Sequence, residues 1–388
     1  MKARQRGPLP ALAIGALALA AMLPARSAAQ NQPRIEVDMS LFAARNPFLL
    51  PGDDAVTLGG QIAGKASAEW PLDFRTRIET GGSLAYRQYT REYGNFLTGS
   101  AELALVHRRN EYLSLRTELS FERVLPVEAV ASSLDSAIDP VSLQDRYEVA
   151  QGVTVHTDAR TALNARLGWS RIDPRGSLLL TPTDAVSLDF GAENRIDAAT
   201  TLGMGGQITS SRSSSGGDPH AWAVQAKAIR RFPRAWNAEI EIGVTRLSRL
   251  TPGSGRESGP VQFSGNGSLC HEPGHIRFCA SAAVASVVSS FGGIQREVSA
   301  ATSLDWRSSE RGRLIARGEY RRSPQSGGPG GNLPDIEVLS LTSRYEHRLD
   351  GQLLLYGGAE FQQRTGLSDI RLNSLTFRTG LLYRIPRP

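Results

Sequence analysis

Lysine is almost missing from this 388-residue chain, cysteine occurs twice, and no apolar run is long enough to cross a membrane as a helix. Each scarcity excludes something. The lysines are Lys2, Lys65 and Lys227, so positive charge is carried almost wholly by arginine. Two cysteines cannot staple a small disulfide-framed domain. The longest apolar stretch, Ala11 to Leu23, has 13 residues, whereas a membrane-spanning helix needs roughly 20. What remains is a soluble chain or one that crosses a bilayer as strands. Catalytic signatures are missing too. No GxSxG, HExxH or Walker pattern occurs, and His107, His156, His220, His271, His275 and His347 stand in no triad spacing. The expectation is a protein that is not an enzyme and needs no cofactor or metal.

The first residues have the form of a secretory leader. Lys2, Arg4 and Arg6 precede the apolar run, and Ser27-Ala28-Ala29 offers small residues for cleavage before Gln30. Residues 1–29 are therefore set apart from 30–388. The leader takes four of the 44 basic residues and no acids, leaving 40 basic against 38 acidic, or +2. A near-balanced chain gives no footprint for nucleic acid.

Beyond residue 34 the dominant pattern has period two. Leu113, Leu115, Thr117, Leu119 and Phe121 alternate with Ser114, Arg116, Glu118, Ser120 and Glu122. Leu314, Ala316, Gly318 and Tyr320 alternate with Arg313, Arg317, Glu319 and Arg321. Such strands have one apolar and one charged face. The segments run about 10–14 residues, longer than soluble strands and matched to tilted membrane strands. Tight turns are read at 71–73, 109–111, 158–160, 197–198, 233–234, 273–274, 310–312 and 350–351, rich in Gly, Pro, Asn and Asp. Longer connections alternate with them at 91–95, 125–142, 173–183, 213–220, 251–260, 288–295, 324–335 and 365–369. With both termini on the short-turn side, the count closes at about 18 strands, with 16 as the alternative. The fold class is an all-β, closed antiparallel transmembrane barrel in an outer membrane, formed by one domain. Trp70, Tyr112, Trp169, Trp222, Trp236, Trp306 and Tyr383 fall near strand ends, where rings sit at a lipid–water interface.

Cys270 and Cys279 flank the turn Pro273-Gly274 and lie roughly opposite each other on the polar face. An oxidising compartment favours a cross-strand disulfide. A zinc site using both cysteines with His271 and His275, and two free thiols, are the alternatives.

The lumen is the remaining candidate for function. Alternation places Arg75, Arg77, Arg116, Arg313, Arg317, Arg321, Arg344, Arg378 and Arg384 there, together with Glu79, Glu118, Glu148, Asp305, Glu319, Glu346 and Glu360. Arg313, Arg317, Arg321, Arg378 and Arg384 form a prospective basic wall that could guide anionic groups. The opposing reading is a lumen stitched by cross-strand ion pairs with no net field.

The element Asn46-Pro47-Phe48-Leu49, the pair Asp53-Asp54 and the segment Ser83-Leu84-Ala85-Tyr86-Arg87-Gln88-Tyr89 resemble an outer-membrane β-barrel porin family associated with exopolysaccharide and exosortase loci. The match by motif covers roughly residues 35–125. The resemblance implies a conduit for exopolysaccharide, with an anionic polysaccharide and periplasmic export machinery as partners besides outer-membrane lipid. A general diffusion porin or a structural barrel is the alternative. The ending Tyr383-Arg384-Ile385-Pro386-Arg387-Pro388 departs from the usual barrel C-terminus by lacking a terminal Phe.

Overall fold

The computed structural model describes residues 33–385 apart from 91–92, 130–137, 140, 214–217, 252–254, 291–292, 324–326, 329–330, 333–334 and 366–369. The prospective leader lies outside the described residues. Eighteen strands form one sheet. They are β1 (Arg34–Arg45), β2 (Val56–Pro71), β3 (Thr76–Tyr89), β4 (Asn95–Arg108), β5 (Leu113–Val124), β6 (Gln144–His156), β7 (Thr161–Pro174), β8 (Thr183–Arg195) and β9 (Thr200–Ser213). Then follow β10 (His220–Phe232), β11 (Trp236–Thr251), β12 (Gly255–His271), β13 (Ile276–Ser289), β14 (Gly293–Arg307), β15 (Gly312–Ser323), β16 (Ile336–Arg348), β17 (Leu353–Thr365) and β18 (Arg371–Arg384). Every strand runs antiparallel to the next. β18 returns to β1 over Glu36↔Arg384 to Arg45↔Leu375, so the sheet has no edge. The count of 18 holds and 16 does not. Two connections differ from expectation. The stretch 288–295 is shortened because β13 runs to Ser289 and β14 starts at Gly293. The stretch 251–260 is mostly strand, because β11 and β12 pair to Thr251↔Gly255 beyond a bulge at Arg246/Ser248.

The outside of this barrel is apolar. Met39, Leu41, Ile62, Leu167, Met204, Ile242, Phe263 and Phe377 are all more than half exposed, as side chains are when only lipid covers them. Trp70, Tyr112, Trp236, Trp306 and Tyr383 sit at the short-turn end, and Trp169 and Trp222 lie nearer the other. A closed strand barrel with an apolar exterior and interfacial rings is an outer-membrane architecture. The short turns then face the periplasm and the long connections face outward.

Four of the short turns share one device. The carboxylates of Asp73, Asp158, Asp197 and Asp350 each accept two backbone N–H bonds, from residues two and three positions on. Asn110 does the same through its amide oxygen. These bonds hold all four aspartates below their ordinary pKa. A depressed folded-state pKa contributes stability above the unfolded value, lost as pH falls through the folded one. The barrel is expected to lose heat resistance on acidification below about pH 4, near the carboxylate reference value. Replacing the four aspartates by Asn, which keeps the acceptor as Asn110 does, should shrink that loss. Heat-modifiable gel mobility across pH 2–7 measures it, and an unchanged acid slope in the quadruple variant would count against the device.

The wall is not uniform. β12 and β13 pair only from His271↔Phe278 up to Gly265↔Val284, while β13 and β14 pair along their whole length. Above Val284 the β13–β14 hairpin leaves the wall and leans into the lumen. Thr245, on the inner face of β11, lies 3.5 Å from the hydroxyl of Ser286. The Thr181 N–H donates to the Ser290 carbonyl at 3.0 Å, and Cα atoms of β9 and β14 approach within 8 Å across the barrel. The bed facing the hairpin includes the small residues Ala221, Ala223, Thr245 and Ser264 together with Gln207 and Gln225. Larger side chains there would hold it off.

At the foot of this short seam Cys270 and Cys279 face each other and form a disulfide with Cα atoms 4.1 Å apart. The expected bond is present, and the sulfurs have no thiolates left for a metal. His271 stacks on Trp236 at 4.3 Å instead. Closing a loop with a sequence separation of 9 is worth about 2–3 kcal/mol on the chain-entropy scale. Thiol labelling of the unreduced, denatured protein should find no free thiol and, after reduction, two. The Cys270→Ser, Cys279→Ser variant should unfold at lower denaturant than the parent by about that energy. Labelling before reduction would rule the bond out.

Candidate functional site: a plugged, charge-laddered lumen

Inward-facing positions follow the expected alternation, and most of their charges are spent on each other. On the β2–β7 side the ladder alternates in sign. Arg77 lies 3.4 Å from Glu69 and 2.8 Å from Glu79. Arg116 bridges Glu79, at 3.1 Å, and Glu118. Arg166 bridges Glu118 at 2.9 Å and Glu148 at 2.7 Å. Lys227 is shared by Glu193, Glu239 and Glu241 at 3.0–3.5 Å. In a wet lumen each pair stabilises by under about 1 kcal/mol. Their larger effect is to cancel the field.

The prospective basic wall is broken up in the same way. Arg313 forks onto Asp305, Arg321 pairs with Glu297, and Arg384 meets Glu36 at 3.1 Å. Arg344 lies 2.9 Å from Glu346, with its guanidinium carbon 3.7 Å from the Tyr356 ring centroid. The partners are thus Asp305, Glu297, Glu36 and Glu346. Among the described residues Arg317 has no ion-pair partner. Arg378 sits 5.8 Å from the centroid of the Phe42 ring. Arg75 is the one placement to correct. It lies in the β2–β3 turn over the Phe74 ring, because β3 starts only at Thr76.

The feature that period-two reading misses is a plug in the outer half of the lumen. The β1–β2 connection folds inward. Asn46 adopts φ 47° and Leu49 φ 51°, and the Asn46 side chain closes the turn through both the N–H and the carbonyl of Leu50, at 2.8 and 3.0 Å. Phe48 and Leu49 are thereby buried to 1% and 0% exposure. The Phe48 ring packs at 5.3 Å on Tyr89, 4.7 Å on Tyr93 and 5.5 Å on Phe96. Leu125, Val127, Ile138, Leu180, Ile336 and Val338 complete the cluster. Arg364, itself buried, donates to the Leu49 carbonyl at 2.9 Å and ties the plug to the wall. Phe42 lies flat over Gly59, where a Cβ would come within 2.2 Å of its ring. A signal existed in the sequence. Phe42, Tyr89, Phe96, Ile336 and Val338 are apolar at positions in the lumen register, all at the outer ends of their strands.

Beneath the plug is a cavity of about 250 Å3. Arg87, Arg378 and Glu360 supply its charges, and Phe42, Tyr89 and Gln362 much of the rest of its lining. Arg87 donates to Gln61 Oε1 through Nε at 3.1 Å and Nη2 at 2.8 Å, and lies 5.6 Å from the Phe42 ring. Two guanidiniums therefore bracket one aromatic ring beside a single carboxylate. This is a site of positive sign in a lumen otherwise close to neutral.

No family model and no curated protein matches the chain. Solved structures do resemble it in architecture. The Pseudomonas aeruginosa channel OccK2 (OpdF), in complex with glucuronate, aligns at TM-score 0.49 and 12% identity over 92% of this chain and 99% of that one. A BenF-like porin from Pseudomonas fluorescens Pf-5 aligns at 0.47 and 11% over 92% and 99%. Acinetobacter baumannii OccAB3 aligns at 0.45 and 8% over 91% and 99%. At such identities the likeness is one of barrel architecture and carries nothing about solutes.

Phe48→Ala should cost about 3–5 kcal/mol, as for other buried aromatics cut to Ala, and should open the lumen. Single-channel conductance should rise while heat-modifiability persists at lower temperature. Unchanged conductance in a folded Phe48→Ala barrel would show that the plug does not set the bore.

Proposed function

We propose that this barrel is a diffusion channel for small anionic solutes, with the Arg87–Arg378 pocket as its selecting site. The observation that carries this is the pocket itself. Its lining brings together two arginines, one carboxylate and the rings of Phe42 and Tyr89 beside the plug residue Pro47. A guanidinium offers a carboxylate a planar, charge-assisted fork, and an aromatic floor suits a compact organic acid with an apolar body. A cavity of about 250 Å3 suits a small molecule rather than a chain of sugars. The exopolysaccharide conduit implied by the family resemblance draws no support from this lumen. A polymer would have to displace the Phe48–Leu49 plug and its Arg364 anchor. Outer-membrane lipid remains the partner that the exterior calls for, and export machinery has no surface here that argues for it.

Planar bilayers give the test. The parent channel should prefer anions at low salt, where screening is weak. Arg87→Ser with Arg378→Ser should abolish that preference, and Arg317→Glu with Arg378→Glu should reverse it. All variants should insert normally, since lumen positions tune selectivity more than stability. Unchanged ion selectivity in both double variants would overturn the reading and leave a structural barrel as the better account.

A further inference from the structure

A second site lies in the wall, independent of the pocket. The unzipped β12–β13 seam starts at Gly265/Val284, so the opening lies in the half of the wall that faces the outer leaflet. Its outer lip is apolar: Val261 and Phe263 are 54% and 55% exposed on the lipid side. Hydrocarbon cannot satisfy the peptide groups of a strand edge, and each one left unpaired in lipid is costly. An opening at this depth therefore needs a polar occupant or cover.

Among the described side chains two cations reach β12 at this level: Arg246, opposite Val261 on β11, donates from Nε to the Gly259 carbonyl at 3.0 Å, and Arg296 comes from the other side. Arg296, on β14, reaches across the opening to β12. Its Nη1 donates to Gln262 Oε1 at 3.1 Å and its Nη2 makes a long contact of 3.4 Å with the Phe263 carbonyl. Its Nε is buried without a hydrogen-bond partner. Nε and Nη2 form the edge of a guanidinium that takes a carboxylate bidentately. That edge is unfilled on one side and weakly filled on the other. Ser286 stands beside Arg296 in the β13–β14 register. Behind them the hairpin does not seat fully on its bed, leaving a cavity of about 30 Å3 bounded by Thr245, Ser264, Ala285 and Ser286.

We propose that this opening binds a single-chain amphiphile with an anionic head, of the fatty-acid class. The head lies on the Nε–Nη2 edge of Arg296, and the tail runs out past Val261 and Phe263 into the outer leaflet. A neutral lipid tail alone leaves the guanidinium edge and the β12 peptide groups unsatisfied. A small hydrophilic anion leaves the apolar lip unused and has no reason to leave the lumen. The occupant that satisfies both is one molecule with both parts. Departure of the hairpin toward the lumen makes the space, and the disulfide below holds the rest of the seam shut.

The test uses the full chain in phosphatidylcholine vesicles and a dodecanoate with a photoreactive group on a carbon near its carboxylate. Adducts should concentrate on residues 259–264 and 284–288. The matching dodecanol should label them at least about fivefold less, as loss of one charge-assisted hydrogen bond implies. Arg296→Gln should bring dodecanoate down to the alcohol's level, with heat-modifiability confirming a folded barrel. If that variant fails to fold, the acid-against-alcohol comparison on the parent protein decides alone. Labelling spread evenly around the lipid face, equal labelling by acid and alcohol, or full labelling of folded Arg296→Gln would each overturn the site. Arg87→Ser with Arg378→Ser should leave seam labelling unchanged, so failure of the channel reading and failure of this one are told apart.

Discussion

A peptide N–H or C=O left unpaired in hydrocarbon costs several kcal/mol, and a sheet can meet that demand in lipid only by closing on itself. The register of β18 on β1 is therefore the constraint from which the rest follows. Closure requires strands long enough to cross, an apolar residue at every second position outside, and a free choice of residue at every second position inside. It also makes departures from regularity expensive and therefore informative. Among the described strands the β13–β14 hairpin loses β12 above Val284 and β15 above Val298 as it turns inward. A hairpin that leaned outward would place two strand edges in lipid. Leaning inward, it trades wall contacts for contacts with β9–β11 and with the loop at Thr181.

The inside is governed by a different balance. Arginine and carboxylate occur in near-equal numbers, and cross-strand geometry brings them together around most of the bore. A lumen of alternating sign is well hydrated and nearly field-free, so its ladder does not select by charge. Selection has to come from where the alternation fails. That happens at the plug, where apolar residues occupy lumen positions and where Arg87 and Arg378 stand against the Phe42 ring beside Glu360. Phe48 and Leu49, buried above the pocket, lower the local dielectric around those two guanidiniums. Charge interactions strengthen as the local dielectric falls.

The strand count, the side of most strand residues and the position of most turns were legible in the sequence, because period-two alternation and turn residues report backbone geometry directly. The Cys270–Cys279 pairing was legible for the same reason: once Pro273-Gly274 sets the hairpin, opposition across it follows. The partners of the lumen arginines were not legible. Alternation says that Arg313 and Asp305 share a face, but adjacency depends on the stagger between strands, which the turns alone do not set. Stagger is what brings Arg313 to Asp305, Arg321 to Glu297 and Arg384 to Glu36. The plug was half legible. Asn46-Pro47-Phe48-Leu49 and Tyr86-Arg87-Gln88-Tyr89 stood out as motifs, and the structure packs them against each other. What hid their role was the assumption that apolar residues face lipid, which fails where a loop re-enters the lumen.

The same reasoning explains why the disulfide sits where it does. Among neighbouring pairs, β12–β13 has only the ladder from Gly265↔Val284 to His271↔Phe278 to hold it, while β11–β12 and β13–β14 are paired almost end to end. Each missing pair removes backbone hydrogen bonds that no lipid replaces, so the short ladder is the place where the wall would part first. A covalent link within that ladder limits how far it can unzip toward the periplasm, and it costs nothing in the lumen because both sulfurs face inward. Were the bond merely a relic of secretion into an oxidising compartment, any of the other hairpins would have served as well. Its position at the foot of the weakest seam ties the inturned hairpin above it to a wall that can tolerate one opening and no more.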